Sequence, residues 1–228
     1  RPMRAFLVQA LLIYRKDMLV EYRTRERIVT MFVFSLIIMV IFNFAFNTDP
    51  NVVQRVVPGM IWVAFAFASM LSASRSFASE KDRGTLDGLL LAPIERGSIF
   101  LGKLMGNVTL IGLVQLAVLP LFVIFFNMTI LPYLSKLLVV FFLGTVGFSS
   151  IATLFAAVAV NTRMRDVMLP VLLLPIASPI LIALVETTRT TFEGGDWQDM
   201  GSWIRLLSVF MVVFLVASVM LFEYIVEE

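Results

Sequence analysis

Apolar residues fall along this chain in six long blocks separated by short polar breaks. A bilayer core roughly 30 Å thick takes about 20 apolar residues per crossing helix. The blocks therefore predict spans at Ile28–Phe46, Val56–Ser74, Leu104–Phe126, Leu137–Val160, Val167–Val185 and Leu206–Phe222. The segment before them has a different period. Between Met3 and Tyr22, Phe6, Ala10 and Ile13, with Leu7, Leu11 and Met18, alternate at helical spacing with Arg4, Arg15, Lys16, Asp17 and Glu21. That is an amphipathic helix suited to the membrane surface. An even number of spans places both termini on one side.

Composition turns the pattern into a class. The chain has 228 residues, 60% of them hydrophobic and 15% charged, and a soluble core cannot hold that apolar mass. The fold expected is all-α and polytopic, with membrane lipid as solvent. Neither a repeat nor a low-complexity linker divides it, so residues 1–228 read as a single domain. Within it, 1–27 is an interface helix, 75–103 a polar connection and 186–203 the largest loop on the other side. The stretch Arg1–Arg27 is too charged for a cleavable signal peptide.

Charge gives the orientation. Fourteen Lys and Arg flank the N-terminus and the second-to-third and fourth-to-fifth connections, against four (Arg55, Lys136, Arg189 and Arg205) on the opposite side. Cytoplasmic flanks collect such residues, so both termini are expected in the cytoplasm. Because the basic residues lie beside spans rather than in one solvated patch, nucleic acid is not an expected partner.

The chain contains neither Cys nor His, which removes disulfides, thiol chemistry, zinc sites and the usual haem ligands. No catalytic metal or triad can be assembled, and no GxxxxGK[ST] phosphate loop occurs. The chain is therefore not expected to be an enzyme, and ATP hydrolysis would need a partner. The polar residues in or near the spans, Asn43, Asn107, Gln115, Ser149, Ser150 and Asn161, cannot ionise. They read as interhelical hydrogen-bonding groups, with Gly144, Gly147, Ser149 and Ser150 as close-packing positions, and they argue against an ion-driven carrier.

The informative polar stretch is Phe77–Pro93. Ser79 and Asp82 fit a helix-capping pattern, Thr85 can begin a helical turn after Gly84, and Pro93 ends the segment through Ala92. Leu86, Leu89 and Leu90 then share a face, either packed on the protein's own helices and the inner leaflet or offered to a soluble partner. In the spans, Pro58 with Gly59 reads as a first-turn proline, with a kink as the alternative. Pro170, Pro175 and Pro179 free backbone carbonyls that lipid cannot satisfy, so the fifth span should face protein.

The segment Glu80-Lys-Asp-Arg-Gly-Thr-Leu-Asp-Gly-Leu-Leu-Leu-Ala-Pro93 resembles the coupling region between spans two and three of ABC-2 type exporter permeases. More narrowly, Arg55-Val-Val-Pro-Gly-Met-Ile-Trp-Val-Ala64, Leu143–Phe148 and Leu169–Ile180 resemble the CcmB family, haem exporter protein B of cytochrome c maturation. The likeness runs from Arg55 to about Ala183. It implies a permease subunit in the bacterial inner membrane, with a cytoplasmic ABC ATPase, a haem-handling membrane subunit and an extracytoplasmic haem chaperone as partners.

Under that resemblance Glu80, Arg83, Gly84, Thr85, Leu86, Asp87, Leu89 and Leu90 form the ATPase-coupling set, and Pro58, Gly59, Trp62, Pro170, Pro175 and Pro179 are membrane-domain candidates. ATP and haem are expected on partner subunits and no cofactor on this chain, because only Met or Tyr here could ligate haem iron. Two other functions remain open at this point. One is a general ABC-2 exporter of lipid, polysaccharide or drug, and the other a mechanical scaffold that moves no substrate.

Overall fold

A computed structural model describes residues 2–46, 50–160, 162 and 164–225; the side chains of residues 2, 50–54, 86, 87, 90, 165 and 166 lie outside that description. Among the described residues there are eight α-helices: α1 (Pro2–Thr24), α2 (Glu26–Phe46), α3 (Pro50–Asp82), α4 (Thr85–Leu91), α5 (Arg96–Phe126), α6 (Leu134–Ala159), α7 (Arg165–Phe192) and α8 (Trp197–Ile225). A 3-10 turn, Leu131–Tyr133, precedes α6. Six helices are long and apolar enough to cross a membrane, and each contains one of the six predicted blocks, apart from Val160 just beyond the end of α6.

The helices outrun the apolar blocks at their polar ends. Helix α3 continues past Ser74 to Asp82, and α5 begins at Arg96, before Leu104. Ser79 and Asp82 are thus the last turn of α3, not the cap of a new helix. The acidic stretch 186–203 shrinks similarly. Helix α7 continues to Phe192 and α8 starts at Trp197, leaving only residues 193–196 between them. Buried Thr187, Thr188 and Thr191 extend α7 inside the protein, each hydroxyl donating to the carbonyl four residues earlier.

The prolines are helix-internal. Pro58 lies in α3, well past its start at Pro50, and is buried, so the first-turn reading is replaced by an interior proline that withholds one backbone donor. In α7 the expected protein-facing side is made by Leu169, Leu173, Ala177, Ile180 and Leu184, while Pro175 and Pro179 are exposed on the other face. Pro179 cannot donate to the Pro175 carbonyl. The Ser178 hydroxyl does so instead, at 2.9 Å, so a side chain on the same helix meets a need that lipid cannot.

Helices α3 and α6 form the interior, with α5, α7 and α8 packed around them and α2 against α3 and α5. Small residues set the close approaches on α6. A Cβ at Gly144 would stand 2.6 Å from both Trp62 and Leu184, and one at Gly147 2.7 Å from Ile180. The expected close-packing role of both glycines is therefore met.

Candidate functional site

The polar connection between α3 and α5 becomes a short projecting element. Helix α3 ends at Asp82; Gly84 turns the chain at φ 67°, a left-handed conformation that favours glycine. Thr85 then opens α4, with its hydroxyl donating back to the Glu80 carbonyl at 3.3 Å. The helix stops at Leu91 because Ala92, held extended at ψ 146° before Pro93, cannot continue it. Leu91 is 86% exposed and Leu89 half-buried. The side chains of Leu86, Asp87 and Leu90 lie outside the described residues, so α4 contributes its backbone, Leu89 and Leu91 to the surface that can be drawn.

Glu80 points inward, towards α1 and α5. Its carboxylate meets the Lys103 ammonium of α5 at 2.8 Å and is also paired with Lys16 of α1. Asp17 of α1 lies 3.1 Å from Lys103 and 3.2 Å from Lys16. Two lysines and two carboxylates thus close a ring across three helices at the foot of α4. Lys103 is 1% exposed, and Asp17 and Glu80 are each 8% exposed.

Burying an ion costs several kcal/mol unless every proton finds an acceptor. Lys103 has three, since besides the two carboxylates it donates to the Ser76 carbonyl at 3.1 Å. Lys16 is half exposed, and burial works against its charge. Asp17 and Glu80 outweigh that burial and hold its ammonium above the ordinary lysine value.

A second polar layer lies beneath. The Arg27 guanidinium, at the start of α2, donates to Ser72 at 2.6 Å and to the Asn107 carbonyl oxygen, and the Asn107 amide donates to Thr153 of α6 at 2.9 Å. Four helices meet on that asparagine. The turn into α2 is fixed by Arg25 at φ 54° and by Glu21, whose carboxylate accepts the Ile28 amide at 2.9 Å. Two clefts of about 410 and 230 Å³ flank the junction, both lined by Glu21, Arg27, Ser79 and Arg83. Arg83 itself is exposed.

The membrane-domain candidates do not converge with this site. Trp62 is buried in α3 and donates to Thr188 at 2.8 Å while its ring packs against Phe141. Gly59 has open space around it and Pro170 is half-buried. Gln115 bonds Thr145 at 2.8 Å between α5 and α6, as expected of an interhelical pair, and Asn161 lies outside the described residues.

Lys16, Asp17, Arg27 and Lys103 are the site residues that sequence reasoning does not single out. Of these, Asp17 carries a signal on α1. Ala10, Ile13, Asp17 and Glu21 follow one helical stripe, and the structure buries all four while leaving Leu7, Leu11, Leu12 and Leu19 exposed. Phe6, Ala10 and Ile13 therefore face protein, whereas Leu7 and Leu11, grouped with them by hydropathy, face outward.

Among the described residues no cluster of three His, Cys, Asp or Glu is placed to hold a metal. The arrangement is a junction of charged and hydrogen-bonded groups shared by α1, α2, α3, α5 and α6.

The family model described as CcmB protein matches residues 8–226. The chain is similar to "Heme exporter protein B" of Rhodobacter capsulatus, with 31% identity over 161 residues covering 71% of this chain and 73% of that protein. It is also similar to the proteins of the same name from Haemophilus influenzae, at 26% over 75% of this chain and 76% of the relative, and Pseudomonas aeruginosa, at 27% over 82% and 83%.

Proposed function

The chain belongs to the CcmB family, and we propose from this that it is the membrane-spanning permease subunit of an ATP-driven complex acting in haem export and cytochrome c maturation. The relatives' shared name, "Heme exporter protein B", supports the haem assignment. The observation that carries the coupling role is α4. A seven-residue helix, isolated by the Gly84 turn and by Pro93, projects Leu91 between two long helices that continue into the membrane bundle. Such an element suits docking to a cytoplasmic ATPase, whose strokes α3 and α5 would carry inward.

In this reading ATP hydrolysis belongs to the partner ATPase, while haem is held by a second membrane subunit and passed to an extracytoplasmic chaperone. The protein is a single domain in the bacterial inner membrane with both termini in the cytoplasm. The positive flanks support that orientation. Purification of the tagged chain from its native membrane in mild detergent, with identification of accompanying chains and a Soret spectrum, tests the reading. A co-purifying ATPase with cytochrome c maturation proteins and a Soret band is the expected result. An ATPase without them would favour a general exporter, and no ATPase would overturn the coupling role.

A further inference from the structure

We propose that Lys103 is the positioning residue that ties the interface helix α1 and helix α5 to the foot of the coupling element, so that α4 moves them together with α3. The inference rests on the coupling role of α4. Two kinds of contact join these parts. Between α1 and α5 the contact is steric: a Cβ at Gly102 would stand 2.7 Å from the Ala10 carbonyl oxygen and 2.8 Å from Ile13, and Gly97 and Gly106 meet Phe6 and Met18. The two helices are seated backbone to backbone and behave as one body.

Between that body and the end of α3, the buried link is the Lys103 ammonium, paired to Glu80 at 2.8 Å and bonded to the Ser76 carbonyl at 3.1 Å, with Asp17 closing the α1 side at 3.1 Å. Glu80 is two residues before the end of α3, and its carbonyl accepts the first hydroxyl of α4. A displacement of α4 therefore reaches Glu80 first and Lys103 next. Lys16 bridges the same two carboxylates, but its half-exposed ammonium is screened by solvent and holds them less firmly.

The junction also leaves polar atoms unpaired. Arg27 Nε, Ser76 Oγ and Glu80 Oε2 are three of the four buried side-chain atoms without a partner among the described residues, and two clefts adjoin them. Buried polar atoms are normally satisfied. An element with unused partners and adjacent free volume is able to shift while remaining polar and paired, which a tightly filled apolar joint cannot do.

The chain has no cysteine, so spin labels at Leu12→Cys on α1 and Leu91→Cys on α4 report their separation by pulsed electron paramagnetic resonance. The protein is taken full-length, in nanodiscs, with whatever chains accompany it. Without nucleotide, the native background should give a narrow distance distribution, Lys103→Met a broadened one, and Lys103→Arg a restored narrow one. With ATP, the native labels should keep their separation and Lys103→Met should lose that constancy. A Lys103→Met distribution as narrow as the native one overturns the proposal. If Lys103→Met does not accumulate, Glu80→Gln, which keeps the side-chain shape, must broaden the distribution equally, and failure to do so has the same force. Because the nucleotide-free comparison needs no ATPase, the two failures are distinguishable: absence of a co-purifying ATPase would count against the coupling role alone, whereas an unbroadened distribution would count against Lys103.

Discussion

The missing side chain of Gly102 lets α1 lie directly on α5. Alanine there would place a methyl carbon 2.7 Å from a backbone oxygen, a clash that neither rigid helix can relieve by changing a rotamer. Gly102→Ala should therefore lower stability by about 1–3 kcal/mol, read as a lower unfolding midpoint in detergent, whereas Gly112→Ala, which meets open space, should not. Lys16 makes a different prediction. Its folded value is raised above 10.5, so its contribution is fully present below that pH and is lost as pH rises through the folded value. Unfolding midpoints should be flat through neutral pH and fall in that alkaline window, with Lys16→Met removing the alkaline component. This residue chemistry is only half legible in the sequence. Acids on the Ala10–Ile13 stripe are a visible signal, but the lysine they serve lies 86 positions along the chain from Asp17, and only the fold joins them.

Among the helices, the apolar blocks locate the spans because lipid imposes the length, while the polar ends of the same helices are hidden from a hydropathy reading. The turns of α3 beyond Ser74 carry Arg75, Glu80, Lys81 and Asp82. The hydropathy boundary at Ser74 hides that these turns continue the span's own helix, where Lys103 holds the Glu80 carboxylate and the Ser76 carbonyl. Pro58 differs from its expected place for the same reason, since the helix begins ahead of the apolar block. Helix α4 is legible from its punctuation alone, a glycine before it and a proline after it. Its two glycines have opposite uses. Gly84 sits at φ 67° with no steric neighbour, so Gly84→Ala strains only the backbone, by about 1–2 kcal/mol, and should misdirect α4. Gly88 is helical and open, and Gly88→Ala should favour the helix by up to about 1 kcal/mol. ATPase activity of the purified complex should fall for Gly84→Ala and hold for Gly88→Ala.

Across the whole molecule the two polar layers sit at one end of the bundle, while contacts elsewhere include the Trp62–Thr188 hydrogen bond and the Lys136–Asp196 pair. Family membership follows from the match over residues 8–226, which supports a common fold and the same kind of work. The coupling role proposed for that end of the bundle depends on α4 being where an ATPase docks, and a chain without cysteine allows docking to be mapped directly. A photo-crosslinker attached to Leu91→Cys on α4, in native membranes, should join this chain to a cytoplasmic ATPase subunit, while the same reagent on exposed Leu131→Cys, in the 3-10 turn between α5 and α6, should not. Absence of an ATPase adduct at Leu91→Cys, or an equal yield at Leu131→Cys, would refute docking at α4.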